Sequence, residues 1–452
     1  MMNERQSLLV SYVEKARKAV FDAEEFLWTH PEVGFTEWES HNYLKAVWEG
    51  LGYTPVEAGN IPGFYADLDT GRPGPTLCIM GELDALDIAN HPCSVNGKNH
   101  SCGHCAQGAA MVGVAAGLKG ERALDGLCGR IRLMMVPAEE LIQLPFREEL
   151  RKKGIIHFYG GKPEFMYRGF FDDVDLCLMV HTGTESQELD FGCGYTNNGC
   201  LAKTFTYTGR AAHAAGSPNR GINAEYAAML GLNACNALRE TFVDSDHIRF
   251  HPILHGVSTA VNIIPNEIEL ETFVRAGTTA AIVRENKKIN RALAGAAVSM
   301  GAGLTVHDRP GYTPEIHFHP YMKLVEKCCQ DLSGPEKVRF RYDGHGTGSS
   351  DFGDLTAVMP GVQFRAYGAI GTGHGTDYYI DDVEKACVRC AMAQVLVANE
   401  LLQNEAVAAK EIVAAYEPTF GSIQEYIDFM DALTMDKEMV TYGEDGEITV
   451  HA

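Results

Sequence analysis

Basic residues are scarce. The chain carries 38 Lys and Arg against 60 Asp and Glu, a formal net charge of −22. Such a surface offers little to nucleic acid phosphates or anionic lipid, so neither is an expected partner. Long apolar runs are also missing. No stretch reaches the roughly 18 residues that a membrane helix needs. The opening MMNERQSLLV has neither a basic leader region nor a continuous apolar one. The 13 cysteines form no even, regularly spaced framework but scatter through apolar runs. They read as reduced thiols acting as small core hydrophobes, and a cytoplasmic protein is expected. Repeats and low-complexity segments are absent. A chain of 452 residues is too long for one ordinary core, so two domains are expected.

What is present centres on Asn99 to Gln107, NHSCGHCAQ. Cys102, His104 and Cys105 fall within four residues, with His100 just before them. Gly103 lets the backbone turn so that Cys102 and His104 can aim at one point. The run after His104, to about Leu118, is helical in pattern and would hold the pair on a rigid element. C-x-H is not a structural zinc spacing, so this stretch by itself decides nothing.

Along the chain, buried strands alternate with helices. Thr76 to Met80 runs into GELDALD, Ile131 to Val136 into PAEE, and Leu176 to Val180 into His181. Each strand thus ends in ligand-type residues: Glu82 and Asp84, Glu139 and Glu140, His181. Strands alternating with helices predict a mostly parallel α/β sheet, where sites form at the carboxyl ends of strands. From about 198 the order becomes βαββαβ, with strands at Lys203–Thr208, 248–257, 261–274 and 304–308 and helices at 221–240 and 279–300. That is a ferredoxin-like α+β unit inserted into the larger domain. The expected organisation is catalytic domain 1–197, insertion 198–314, catalytic domain resumed 315–425, and an acidic tail 426–452.

Adjacent carboxylates repel, and a metal relieves that cost. A pair such as Glu139-Glu140 then divides into a ligand and a general base. The motifs LDTGRPGP, GELDALD, CGH, VPAEE, HTG, GRAAHAAGSPNRGINA, VNIIPNEIELE, SSDFGDL and GTGHGTDYY occur in order over roughly residues 10 to 405. In this order they resemble the aminoacylase and glutamate-carboxypeptidase family of dinuclear metallopeptidases. Within that family they resemble its amidohydrolase branch.

That resemblance implies a metallopeptidase catalytic domain with an inserted dimerisation and lid domain. It implies two divalent ions, manganese or zinc, with cobalt and nickel as alternatives. Cys102 would lie between them, with His104 and His181 completing one site and Glu140 and His374 the other. Glu139 would be the general base, and Asp84 would orient a ligand. His213 would stabilise the oxyanion, Asn262 would hold the substrate, Arg275 would clamp a carboxylate, and His345 would face substrate. Asp351 fixes a loop. Cys105 departs from the branch, which has Asp or Asn after CGH, and bears on metal preference. The implied reaction is hydrolysis of N-acyl or N-aroyl amino acids or dipeptide-like amides, small-molecule substrates. A homodimer through the inserted domain is implied, and a homologous partner subunit is a second arrangement. A hydrolytic deaminase of an aromatic amine or amidine-like carbon would use the same groups. An inactive binding homologue would lack a ligand or the base, and here all are present.

Overall fold

The structure, a computed structural model, describes residues 2–256, 260–443 and 445–451. It divides into two units. The first comprises Met1–Thr196, Ile316–Gly344 and Asp354–Ile423, and the second Asn197–Glu315, His345–Gly353 and Gln424–Ala452.

The first unit is built on an eight-stranded sheet. Its centre is four parallel strands in the order Arg130–Val136, Thr76–Glu82, Leu176–Gly183, Gly361–Tyr367. Thr76–Glu82 is buried at every position, as a strand covered on both faces must be. Phe64–Asp69 runs antiparallel beside Arg130–Val136 and alternates buried with more open positions toward the sheet edge. The register pairs Glu82 with Val136 and Arg365 with His181. The carboxyl ends of these strands therefore lie along one rim, as the alternating pattern predicts. No helix among the described residues is long and apolar enough to cross a membrane, and all 13 cysteines are free.

The helix His104–Leu118 runs through the core. Fourteen of its 15 residues are buried. Its glycines are contact points: a Cβ at Gly108 would meet Leu27 at 2.7 Å, at Gly113 Ala391 at 2.7 Å, and at Gly117 Val13 at 2.7 Å. Without side chains there, the helices Glu4–Lys15, Arg17–Thr29 and Cys390–Leu402 close directly onto it. A π-helical stretch, Glu384–Arg389, leads into the last of these.

The second unit has the βαββαβ order. Its sheet runs Arg249–Phe250, Glu267–Ala276, Gly199–Thr208, Gly303–Tyr312, with the helices Ala224–Ala237 and Thr279–Met300 contributing to its core. Two expected strands differ. The 248–257 strand is split into Arg249–Phe250 and Ile253–Gly256 around Pro252, which cannot donate to the ladder, and Val257 lies outside the described residues. The 261–274 strand begins only at Glu267. Before it, Asn262–Pro265 folds back, with Ile263 N–H bonded to Ala260 and Ile264 N–H to Ala212. Pro265 explains the late start, since it restricts the residue before it and supplies no N–H. Residues after 426, where the sequence suggested no element, continue this sheet: Met435–Tyr442 pairs with Gly303–Tyr312 and then with Ile448–Val450.

Candidate metal centre

Cys102 and His104 stand at the start of the core helix. Gly103 between them has φ 86°, a conformation in which a Cβ would lie 2.3 Å from the Tyr378 hydroxyl. Glycine is required there on both counts. Glu139 and Glu140 follow the Arg130–Val136 strand after a turn in which Ala138 adopts φ 57°. The turn is fastened from two sides. Ala138 N–H donates to Glu37 Oε1 at 2.8 Å, and the buried Arg147 guanidinium donates to the Glu140 and Tyr159 carbonyls. Burial and the nearby Asp84 charge push the Glu37 carboxyl well above its usual range. His181 projects from the Leu176–Gly183 strand. His374 sits in a loop at φ 63°, its N–H bonded to the Ser101 carbonyl at 2.9 Å.

These elements bring together every residue assigned to the ions. Cys102, His104 and His181 form one group whose donor atoms all lie within 4.8 Å of one another. Cys102, Glu140 and His374 form a second, and His104, Glu139 and Glu140 a third. Cys102 is common to the first two. Its Sγ lies 3.3 Å from His181 Nε2, and Glu140 Oε1 lies 3.0 Å from His374 Nε2.

The histidine tautomers are fixed by acceptors that carry no proton. His104 Nδ1 bonds to the Asp84 carbonyl at 2.9 Å and its carboxylate at 3.1 Å. His181 Nδ1 bonds to the Thr182 carbonyl at 2.9 Å. Both rings therefore donate through Nδ1 and turn Nε2 inward, the atom left to a metal once any proton there is displaced. Among the described residues, neither His104 Nε2 nor Glu140 Oε1, both buried, has a hydrogen-bond partner. Ligand bonds of about 2.0–2.3 Å place neighbouring donors roughly 3–3.6 Å apart. The observed separations fall in that range. Thiolate, imidazole and carboxylate donors with orphaned lone pairs fit divalent transition ions.

The electrostatics agree. Burial alone would raise Asp84, but the His104 bond and charge and the Glu140 N–H hold it at about 2. Burial, with the Glu140 charge, pushes the Cys102 thiol well up. Burial, with the His104 charge, lowers His181 to about 4. A negative cluster that disfavours its own thiolate is one a cation reverses.

In the second unit, His213 and Asn262 are exposed and close in the fold. His213 pairs with Ile263, and Ala214 N–H bonds to the Asn262 carbonyl. Arg275 Nη1 donates to Ser349 at 3.0 Å, and His345 stacks on His247 and bonds to Asn198. Asp351 is fully buried in the 345–353 segment. In the first unit, Cys105 points away from the donors, 3.9 Å from Glu24 Oε1, and His100 is buried outside the donor groups.

The sequence reading missed Glu37, Arg147, Gln107 and Lys162. Lys162 is fully buried and bonded to Glu82. A lone lysine in the short helix Gly161–Tyr167 was the one available signal.

A parallel α/β unit with N, S and O donors gathered at its strand ends is the architecture of a metal-dependent hydrolase. The profile of Peptidase family M20/M25/M40 matches residues 77–400, and the chain belongs to that family. Membership makes it a hydrolase of amide C–N bonds. It is 28% identical over 311 residues to one of the chains of p-aminobenzoyl-glutamate hydrolase from Escherichia coli, covering 66% of this chain and 59% of that protein. It is 30% identical over 342 residues to an indole-3-acetyl-aspartic acid hydrolase of Enterobacter agglomerans, covering 71% and 73%. A Bacillus subtilis crystal structure described as a dinuclear metal binding peptidase of the M20 family shares the fold. Its TM-score is 0.65, at 18% identity over 86% of this chain and 99% of that one.

Proposed function

We propose that the protein is a dinuclear metal-dependent amidohydrolase that splits N-acyl or N-aroyl amino acids into a carboxylic acid and an amine. The observation that carries this is the sharing of Cys102 between two donor groups, with Glu139 within 4.8 Å of His104 and Glu140. His104 and His181 would hold one ion, Glu140 and His374 the other, and Cys102 both. Divalent ions there would supply Lewis acidity to a scissile carbonyl and acidify water. Glu139, not needed as a ligand, takes the proton from the attacking water and returns it to the leaving nitrogen. Asp84 keeps His104 in the tautomer that offers Nε2. His213 donates to the developing oxyanion, Asn262 and His345 hold substrate, and Arg275 meets its carboxylate.

Both relatives named above take an acyl group on an acidic amino acid, which supports that substrate class here. The exposed row Tyr226, Met229 and Leu230 on the helix Ala224–Ala237 supports a homodimer through the second unit. One of those relatives works as part of a hydrolase of more than one kind of chain, which makes a homologous partner the other arrangement to examine.

The test is a release assay on protein reconstituted with Mn2+ or Zn2+, followed by mass spectrometry across N-acyl and N-aroyl amino acids and dipeptides. Glu139→Gln should keep its ions and lose about 10²–10⁴-fold in turnover. Full turnover in Glu139→Gln removes it as the base. Ammonia released without a new carboxylate replaces amide hydrolysis by deamination.

A further inference from the structure

Glu82 is a buried carboxylate that the reaction just described leaves without a task. It ends the Thr76–Glu82 strand with its side chain wholly enclosed. Oε1 accepts from Lys162 Nζ, itself fully buried, and Oε2 accepts from Gln107 Nε2 at 2.8 Å. Its backbone N–H donates to Gln107 Oε1 at 3.1 Å. The carboxylate is thus held in one orientation from both sides.

That orientation places Oε2 3.2 Å from His104 Nε2. The Asp84 carbonyl accepts from His104 Nδ1, so Nε2 is the ring atom turned toward Glu82. It makes no hydrogen bond among the described residues. A carboxylate oxygen and a ring nitrogen at this separation need a positive charge between them: a proton on Nε2 in the metal-free chain, where against burial the Cys102 and Glu82 charges raise His104 well above its ordinary range, or a metal ion in that proton's place. The same spacing marks Cys102 with His181, at 3.3 Å, and Glu140 with His374, at 3.0 Å. Glu82 and Glu139 also present oxygens within 4.8 Å of each other.

The geometry points to Glu82 as a further ligand of the ion held by His104 and His181, with Lys162 occupying its other oxygen. This rests on the dinuclear reading above. Lys162 has a definite role in that arrangement. A buried carboxylate with no partner is costly, and the ammonium compensates it while the metal is away. When an ion is bound, the same ammonium competes for the carboxylate's charge. Lys162 therefore steadies the metal-free fold and weakens ion binding, whereas Glu82 strengthens ion binding. An oxygen donor added to a thiolate and two imidazoles also makes that position more hospitable to harder ions such as Mn2+.

The opposite signs make the test. Chelator competition on the full-length protein reads the affinity of each ion, and the visible absorption of the Co2+-loaded protein reports coordination number. Glu82→Gln should weaken one of the two ions at least about tenfold and change the Co2+ spectrum. Lys162→Met should leave ion binding as tight or tighter, and widen the difference in melting temperature between loaded and metal-free protein. Glu82→Gln removes the carboxylate that Lys162 meets at that strand end, so the pair Glu82→Gln with Lys162→Met guards against misfolding. It should show the same weakened ion and altered spectrum. If the double variant binds two ions with wild-type affinity and spectrum, Glu82 is a structural partner of Lys162 only. If Lys162→Met weakens the ions as much as Glu82→Gln does, the pair acts through stability and the assignment falls. Wild-type protein that takes up no ion overturns the dinuclear centre itself, a separate result.

Discussion

Asp84 ties His104 and Glu140 together. One carboxylate oxygen is 3.1 Å from His104 Nδ1, and the other accepts the Glu140 N–H at 2.8 Å. A residue ahead of the core helix thereby sets the angle of a ring on that helix and of a carboxylate on a different strand loop.

Asp84→Asn separates these two tasks. The amide oxygen can still face His104, but the amide nitrogen then confronts the Glu140 N–H, donor against donor. We expect ion affinity to fall about 10–100-fold. Leaving a buried N–H unpaired should cost about 1–3 kcal/mol. Chelator competition and thermal denaturation on the same sample check both. Unchanged ion affinity would show that ring orientation does not depend on Asp84.

Gly103→Ala and Gly126→Ala both place a methyl at positive φ, 86° and 74°. At Gly126 the methyl enters open space, whereas at Gly103 it meets Tyr378 Oη at 2.3 Å and Thr182 at 2.8 Å. Gly126→Ala should cost about 1 kcal/mol and keep its ions. Gly103→Ala should cost more and lose ion binding, because the displaced turn carries Cys102 and His104. Urea midpoints with metal analysis separate the two. Equal losses would mean that the close approach at Gly103 is relieved elsewhere.

Glu24 gives the protein a pH dependence away from the centre. Burial, with the Glu25 charge, raises its carboxyl to about 7 from 4.5. The folded state then binds the proton more tightly than the unfolded one. Stability is therefore highest below about pH 4.5 for this group, falls as pH rises to about 7, and is flat above it. The full difference is about 3 kcal/mol. Glu24→Gln should flatten melting temperature between about pH 5 and 8, and should be the more stable protein at the upper end. Parallel slopes in the two proteins would place the proton elsewhere.

Tyr226, Met229 and Leu230 are 58%, 49% and 40% exposed, with Tyr226 one helical turn from the other two. Met229→Glu should convert a dimer to a monomer in light scattering while leaving the stability of the chain within about 0.5 kcal/mol of wild type. A wild-type protein that is already monomeric at working concentration removes the dimer from the proposal.

Much of this was legible because chemistry and periodicity coincided at the strand ends. Glu139, Glu140 and His181 each follow a run of buried apolar residues, and the Gly103 turn joins Cys102 to His104 in plain view. Glu82 was visible as a strand-end acid, but its partner was not: Lys162 lies 80 positions away on a seven-residue helix too short to show a face. Arg147 and Glu37 were hidden for a similar reason. They grip backbone atoms of the 138–140 turn, and no side-chain pattern announces a backbone contact. The late strand start at Glu267 turned on one proline in a run that otherwise alternates well. The last two strands were missed because Met435–Tyr442 buries only Val440 fully and so shows little of the alternation on which a strand is recognised.

The core helix that begins at His104 has one remaining consequence. With 14 of 15 residues enclosed, it has no free side on which to yield. A valine at Gly113 would strike Ala391 and Val20 some nine residues, or about 13 Å, from His104. The helix could accommodate it only by moving as a rod, and the rod's tip is His104. Lesions that touch neither ion nor substrate, at Gly113 or at Gly117, would thus surface as defects of the active centre. In a mutational survey they would be mistaken for ligands.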